Sequence, residues 1–238
     1  MKITESDRIL VVAPHPDDES IGCGGLLAKY GPQCDILVLS DGRKGYRSTD
    51  TVDEEALVRT REEELLAVAR MAGAKQTFFL RIPDGTVADH RKAVEAFDLT
   101  PYSLVLSPNG SERHRDHCGV TALLQEMKRR QGSRGLLYEY EVWSPLAAPT
   151  HVLDISDVIE TKLDMVSQYQ SQTKYVDYRS MALGLSQYRG AGFSCTYGEA
   201  YRFVPYRSRL AQLYDRLPGP VGTGLRTIRS MLRKTRKE

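Results

Sequence analysis

The chain has 238 residues, 41% hydrophobic and 27% charged, the balance of one sizeable globular domain with a single core rather than of a disordered chain. No apolar stretch approaches the ~20 residues of a membrane span, and the N-terminal residues lack the pattern of a secretory signal, so a cytoplasmic protein is expected. The net charge of +2 is unevenly placed: residues 206–238 hold nine Lys/Arg against Asp215 and Glu238, which speaks for a surface or partner near the C-terminus and not for a nucleic-acid-binding body.

The first apolar run, residues 9–13, is continuous and rich in β-branched residues, the signature of a strand buried on both faces of a parallel sheet. A helix is predicted over residues 19–30, with Gly24-Gly25 allowing close approach and Gly31-Pro32 stopping it. Residues 35–40 repeat the strand pattern and lead into a polar loop containing Asp41-Gly42 and Gly45. Residues 53–72 read as a long amphipathic helix closed by Gly73. Strands follow over residues 76–80 and 103–106, with a helical candidate at residues 88–97 between them. Beyond these, residues 136–142 and 201–204 suggest strands, and residues 158–169 and 180–188 suggest helices. Such alternation predicts an α/β domain, a three-layer Rossmann-like fold with a mostly parallel sheet, spanning residues 1–205. In folds of this kind ligands sit outside the carboxyl ends of the strands.

His15-Pro16-Asp17-Asp18-Glu19 directly follows the first strand. Three adjacent carboxylates at a sheet edge suffer desolvation and mutual repulsion unless a cation or a hydrogen-bond network compensates them. A second cluster, His114-Arg115-Asp116-His117, follows another strand and a polar loop. Taken alone, His-x-x-His also describes a solvated loop, and an acidic run also describes a helix N-terminus, a reading that fits Glu19. Together, on matching strand edges, the two clusters suit a mixed nitrogen and oxygen metal site with an open position for water.

The segment from Val11 to Glu19 resembles the AHPDDE hallmark of the PIG-L/LmbE-like N-acetylglucosaminyl de-N-acetylases, and His114-Arg115-Asp116-His117 resembles the family's HxDH motif. Ser40-Asp41-Gly42, Arg61-Glu62-Glu63-Glu64, Pro83-Asp84-Gly85, Ser171-Gln172, Arg189-Gly190 and Glu199-Ala200-Tyr201 are similar to further family segments, so the likeness covers residues 8 to 204. Pro14 stands for the commoner Ala, Arg115 for the commoner Pro and Ser40 for the usual Thr. The resemblance implies a Zn2+ site, or one for another divalent ion such as Fe2+, formed by His15, Asp18 and His117. It also implies that Asp17 is the general base and that a protonated His114 stabilises the oxyanion and protonates the leaving amine, with Asp116 raising the His114 pKa or fixing its orientation. The reaction so implied removes the acetyl group from an N-acetylhexosamine conjugate, releasing acetate and a free amine. The alternatives are an amidase acting on another amide and a non-catalytic sugar- or nucleotide-binding module.

Arg61, Arg43 and Asp84 are the candidate substrate contacts, with Lys44 beside them. An exposed i,i+3 pair with Glu64 is the ordinary reading of Arg61. Cys23 and Cys118, although adjacent to the motifs, are expected to be small buried thiols. In the tail, Leu210, Leu213, Tyr214 and Leu217, and then Leu225, Ile228 and Leu232, have helical spacing on either side of a breaker-rich linker at residues 218–224. The second set is interleaved with Arg226, Arg229, Arg233 and Lys234, a pattern able to lie peripherally on the inner face of an anionic membrane.

Overall fold

The computed structural model describes residues 2–205. The predicted tail helices, the linker and the membrane-facing pattern all lie outside these residues. Among the described residues, no helix is long and apolar enough to cross a membrane.

A seven-stranded sheet forms the middle layer, in the order β3-β2-β1-β4-β5-β7-β6. The strands are β1 (Ile9–Ala13), β2 (Cys34–Ser40), β3 (Gln76–Ile82), β4 (Leu104–Pro108), β5 (Leu136–Tyr140), β6 (His151–Asp154) and β7 (Gly198–Phe203). The first five pair in parallel, and β7 runs antiparallel to both β5 and β6. Every residue of β1, β2 and β4 is buried, which accounts for their continuous apolar cores, residues 9–13, 36–39 and 104–106. Helices α1 (Asp18–Tyr30), α2 (Glu54–Ala72), α5 (Ile159–Ser167), α6 (Gln170–Thr173) and α7 (Tyr178–Ala191) accompany the sheet on one side, and α3 (Arg91–Glu95) and α4 (Val120–Gln131) on the other. Two apolar clusters fill the layers. One joins Val11, Ile36 and Leu106 to α1, α2 and α5; the other joins Val12, Leu37 and Val105 to α3 and α4.

Local chemistry sets the ends of these elements. Asp53 caps α2 by accepting from the Ala56 N–H, and Gly73 closes it in the left-handed conformation. Gly24 and Gly25 provide the expected close approach: a Cβ on Gly25 would lie 2.5 Å from Ile155, and one on Gly24 2.8 Å from Lys162 of α5. The helix predicted over residues 88–97 shrinks to residues 91–95. The loop before it stays open because the N–H groups of Gly85 and Val87 go to the Asp116 carboxylate. Similarly, β5 ends at Tyr140 and not at residue 142, because Val142 turns its N–H to Glu112.

The order 2-1-4 places the topological switch between β1 and β4. The loops leaving β1 and β4 at their carboxyl ends are those carrying His15 to Asp18 and Asn109 to His117. They therefore meet at the crevice where such sheets bind ligands.

Candidate metal centre and catalytic cleft

His15 and Asp18 come from the loop after β1 and the first turn of α1; His117 comes from the turn before α4. His15 Nδ1 lies 3.3 Å from Asp18 Oδ2 and 3.2 Å from His117 Nε2, and His117 Nε2 lies 3.1 Å from Asp18 Oδ2. Tetrahedral ligands at zinc bond lengths of about 2.0–2.1 Å are separated by about 3.3 Å, so these three atoms have the spacing of one face of such a site. Two wider groupings, His15 with His114 and His117 and His15 with Asp84 and Asp116, also bring possible ligand atoms within 4.8 Å of one another. The triangle with Asp18 is tighter, and it leaves the second nitrogen of each ring free for a carboxylate.

Those carboxylates are in place. His15 Nε2 lies 3.3 Å from both Asp84 Oδ1 and Asp116 Oδ2, and His117 Nδ1 lies 2.5 Å from Glu112 Oε2. Carboxylate–histidine pairs of this kind fix the tautomer and raise the basicity of a metal ligand. The electrostatics agree. Burial opposes charge on His15, yet Asp116, Asp18 and Asp84 outweigh it and raise its pKa well above the ordinary value. At His117 burial is likewise outweighed, chiefly by Asp18, and the pKa is pushed up to about 9. Burial would raise Asp18, but His117 and His15 hold it well below the ordinary carboxylate range. Without a cation, the ring nitrogens must hold protons to balance these acids. A divalent ion takes the place of those protons, so the donor set fits a metal.

Asp17 stands beside the triangle in a strained backbone conformation, with φ at 136°. Such a geometry costs on the order of 1–3 kcal/mol and persists where the surroundings over-determine it. Here the Asp17 N–H donates to Glu19 Oε2 at 3.1 Å, while Arg61 Nη2 donates to Pro16 O at 2.6 Å and to Asp17 Oδ2 at 2.9 Å. Glu19 is itself buried and accepts from Tyr169 and Ser20, so it does more than start a helix. Burial pushes the Asp17 carboxyl up to about 7, against the pull of Arg61, with Asp18 adding to the rise.

The remaining predicted residues divide. Arg61 reaches the site by holding Asp17 and, through Gly42 O, the loop after β2, where Gly42 adopts φ +64°. Its predicted partner Glu64 instead accepts from Ser171 of α6. Asp84 faces His15, and its pKa falls to about 2: burial opposes the charge, but His15 outweighs it. Asp116 also serves His15 rather than His114. Its carboxylate is turned to Gly85, Val87 and His15, and only its backbone N–H approaches His114 Nδ1, at 3.4 Å. In the metal-free chain the His114 pKa is lowered, by burial and then by His15 and His117, the direction opposite to that expected of a protonated His114. Arg43 is not among the residues lining the cleft: it is bound to Asp41 at 2.8 Å and faces Glu54 and Glu55. Cys23 is buried as expected, whereas Cys118 is exposed.

The centre opens into a cleft of about 310 Å³, within the range of small-molecule sites. His15, Asp17, Asp18, Asp84, Lys44 and His114 line it, together with Trp143, Gln172 and Tyr178. Of these, Gln172 belongs to the family-like Ser171-Gln172 segment, whereas Trp143 and Tyr178, like the buried Glu112, stand in no motif. Glu112 carries the same signal as Asp17, an acid just beyond a buried strand. A family model described as GlcNAc-PI de-N-acetylase, PIG-L, matches residues 10–128, half of the chain and both histidine motifs. The chain belongs to the PIG-L family. A relative from Thermococcus kodakarensis, named diacetylchitobiose deacetylase, is 27% identical over 83% of each chain. A Kineococcus radiotolerans 1D-myo-inositol 2-acetamido-2-deoxy-alpha-D-glucopyranoside deacetylase shares 34% identity over 36% of this chain and 25% of its own. Among solved structures, the N,N'-diacetylchitobiose deacetylase of Pyrococcus horikoshii has a TM-score of 0.73 at 21% identity, covering 91% of this chain and 88% of that one, and so shares the PIG-L fold.

Proposed function

We propose that this PIG-L chain is a metal-dependent amide hydrolase, with zinc its ion, that removes the acetyl group from an N-acetylhexosamine conjugate and releases acetate and a free amine. The observation carrying this reading is the triangle of His15, Asp18 and His117 with the carboxylate of Asp17, outside the triangle and held by Arg61, lining the same cleft. The relatives acting on acetylated amino sugars support the acetamide as the bond cut. A bound divalent cation supplies Lewis acidity, making a water acidic near neutral pH and polarising the amide carbonyl.

The chain's own residues do the rest. Asp17, whose carboxyl burial pushes up to about 7 in the metal-free chain and a bound cation would draw lower, is fixed by Arg61 and Glu19 and accepts a proton from the attacking water. As the C–N bond breaks, the same carboxyl returns that proton to the leaving nitrogen. His114, neutral at the lip of the cleft, receives the Asp116 N–H at Nδ1 and donates from Nε2 to the oxygen on which negative charge develops. We place the activity in a domain of residues 1–205 in the cytoplasm and assign residues 206–238 to a separate basic segment that contacts an anionic membrane surface. The test is amine release from a panel of N-acetylglucosamine and N-acetylgalactosamine conjugates, with zinc and after chelation. Zinc-dependent release from at least one is expected, and an inert panel would overturn the amino-sugar reading.

A further inference from the structure

Glu112 is a fully buried acid that the chemistry at Asp17 does not use, and it faces two ways. Its Oε2 meets the His117 ring. Its Oε1 accepts from the N–H groups of Val142 at 3.1 Å, Trp143 at 2.9 Å and Ser144 at 3.3 Å. Successive amides folded around one oxygen form a nest for negative charge. The segment they belong to carries Trp143, the sole tryptophan of the chain, 46% exposed at the mouth of the cleft and packed edge-on against Tyr178 at 5.6 Å. Its far end is anchored independently: Arg189 donates to Leu146 O at 2.7 Å, and the Leu146 N–H donates to Glu141. Glu112 therefore holds the end of the segment nearest the metal centre.

We propose that Glu112 is a positioning residue that couples the metal ligand His117 to the placement of Trp143, so that metal loading and setting of the cleft mouth are one event. The coupling rests on the metal set proposed above. A carboxylate at Nδ1–H keeps the lone pair of His117 on Nε2, where a ligand needs it. A cation on Nε2 polarises that N–H and changes the share of carboxylate charge left for the three amides, so that occupancy is felt at the Trp143 backbone. Glutamine cannot replace both contacts. If its oxygen serves the amides, its NH2 faces Nδ1 and favours the tautomer that cannot ligate; if it is flipped, its NH2 meets three donors.

Zinc titration of the chelator-stripped full chain tests this, with occupancy followed by competition with a chromophoric chelator and the cleft mouth by tryptophan emission. In the wild type, emission should change in step with occupancy. In Glu112→Gln, zinc affinity should fall about 10–100-fold and the emission change should be lost. Glu112→Asp keeps the charge but is one methylene short, so it should retain more affinity than the glutamine variant and still lose the emission response; it serves if the glutamine variant does not fold. Wild-type affinity together with a full emission response in both variants, or a wild-type emission blind to zinc, would overturn the coupling alone. A wild-type chain that takes up no zinc overturns the metal set, and the coupling with it.

Discussion

Along the antiparallel half of the sheet, Glu199 meets Lys162 at 2.7 Å, Glu141 is held by Arg189, and Glu139 meets Arg202 at 2.6 Å. Along the carboxyl edge of β1 to β4, Asp17, Asp18, Asp84, Asp116 and Glu112 gather around two histidines, and the guanidinium in contact with them, Arg61, is bound to Asp17. Both regions are buried, and both carry charges expensive to remove from water. In the first, each acid has a basic partner and the chain is closed upon itself. In the second, the acids outnumber the bases, and the balance must come from protons or a cation. Buried charge as such does not mark a site; buried charge without its counter-charge does.

Breaking one member of each region should separate the two roles. Asp17→Asn should lower kcat/KM by about 10²–10⁴-fold, the contribution of a positioned base, with metal content by mass spectrometry or atomic absorption unchanged. Asp18→Asn should lose both metal and activity. If the two variants exchanged these phenotypes, the roles of the neighbouring aspartates would be reversed. Lys162→Met leaves Glu199 buried beside the Gly25 and Leu26 N–H groups without its ammonium. It should cost about 3–5 kcal/mol in urea unfolding, while the folded fraction keeps its metal stoichiometry.

The same contrast explains what could be read beforehand. The runs of β1 and β2 were plain because both faces are buried, and the acids after β1 stood out because nothing nearby in sequence neutralises them. Helix α4 has apolar residues at 120, 123, 124 and 127, but its start is unannounced: Gly119, at φ 87°, stands where a Ser or Asp cap would signal it. Strand β6 is four residues, three half-buried and one exposed, and carries almost no pattern. Within the centre, the three proposed ligands follow from the family resemblance of their motifs. Their carboxylate partners do not, because Asp84 and Asp116 reach His15 across 69 and 101 residues and the choice between His15 and His114 is made by rotation of one side chain. Arg43 and Arg61 looked alike on charge alone. What separates them is Asp41, which claims Arg43, and burial on the inner face of α2, which turns Arg61 to Asp17.

A subtler break is the pH dependence. Protonated Asp17 cannot accept the proton of water, so turnover should fall as pH drops through the Asp17 pKa, at about 7 in the metal-free chain. Arg61 favours the ionised carboxylate and pulls that value down, and a bound cation acts in the same direction. Arg61→Gln should therefore move the acid limb of the kcat/KM profile to higher pH, with the largest loss of activity on the acid side. A limb that moved down or stayed fixed would show that Arg61 holds the loop but does not tune the base.

The smallest effect is expected at Arg43. It lies in the same loop as Lys44 and carries the same charge, yet its Nε and Nη2 are spent on Asp41 at 2.8 and 2.7 Å, and its Nη1 faces Glu54 and Glu55 on the solvent side of α2. Asp41 is buried, so that pair belongs to the packing of the loop, while the exposed pairs with Glu54 and Glu55 contribute no more than about 1 kcal/mol each. The fold of the loop does not depend on that pair alone, because Asp41 also accepts from the Asp84 N–H and donates its own N–H to Ile82 O. Arg43→Ala should therefore leave metal affinity unchanged and alter kcat/KM by no more than about two-fold, the reach of a surface substitution. A ten-fold rise in KM would instead mean that the guanidinium leaves Asp41 to meet substrate, and that the acids on this edge release their partners in a way that Glu199 and Glu141 do not.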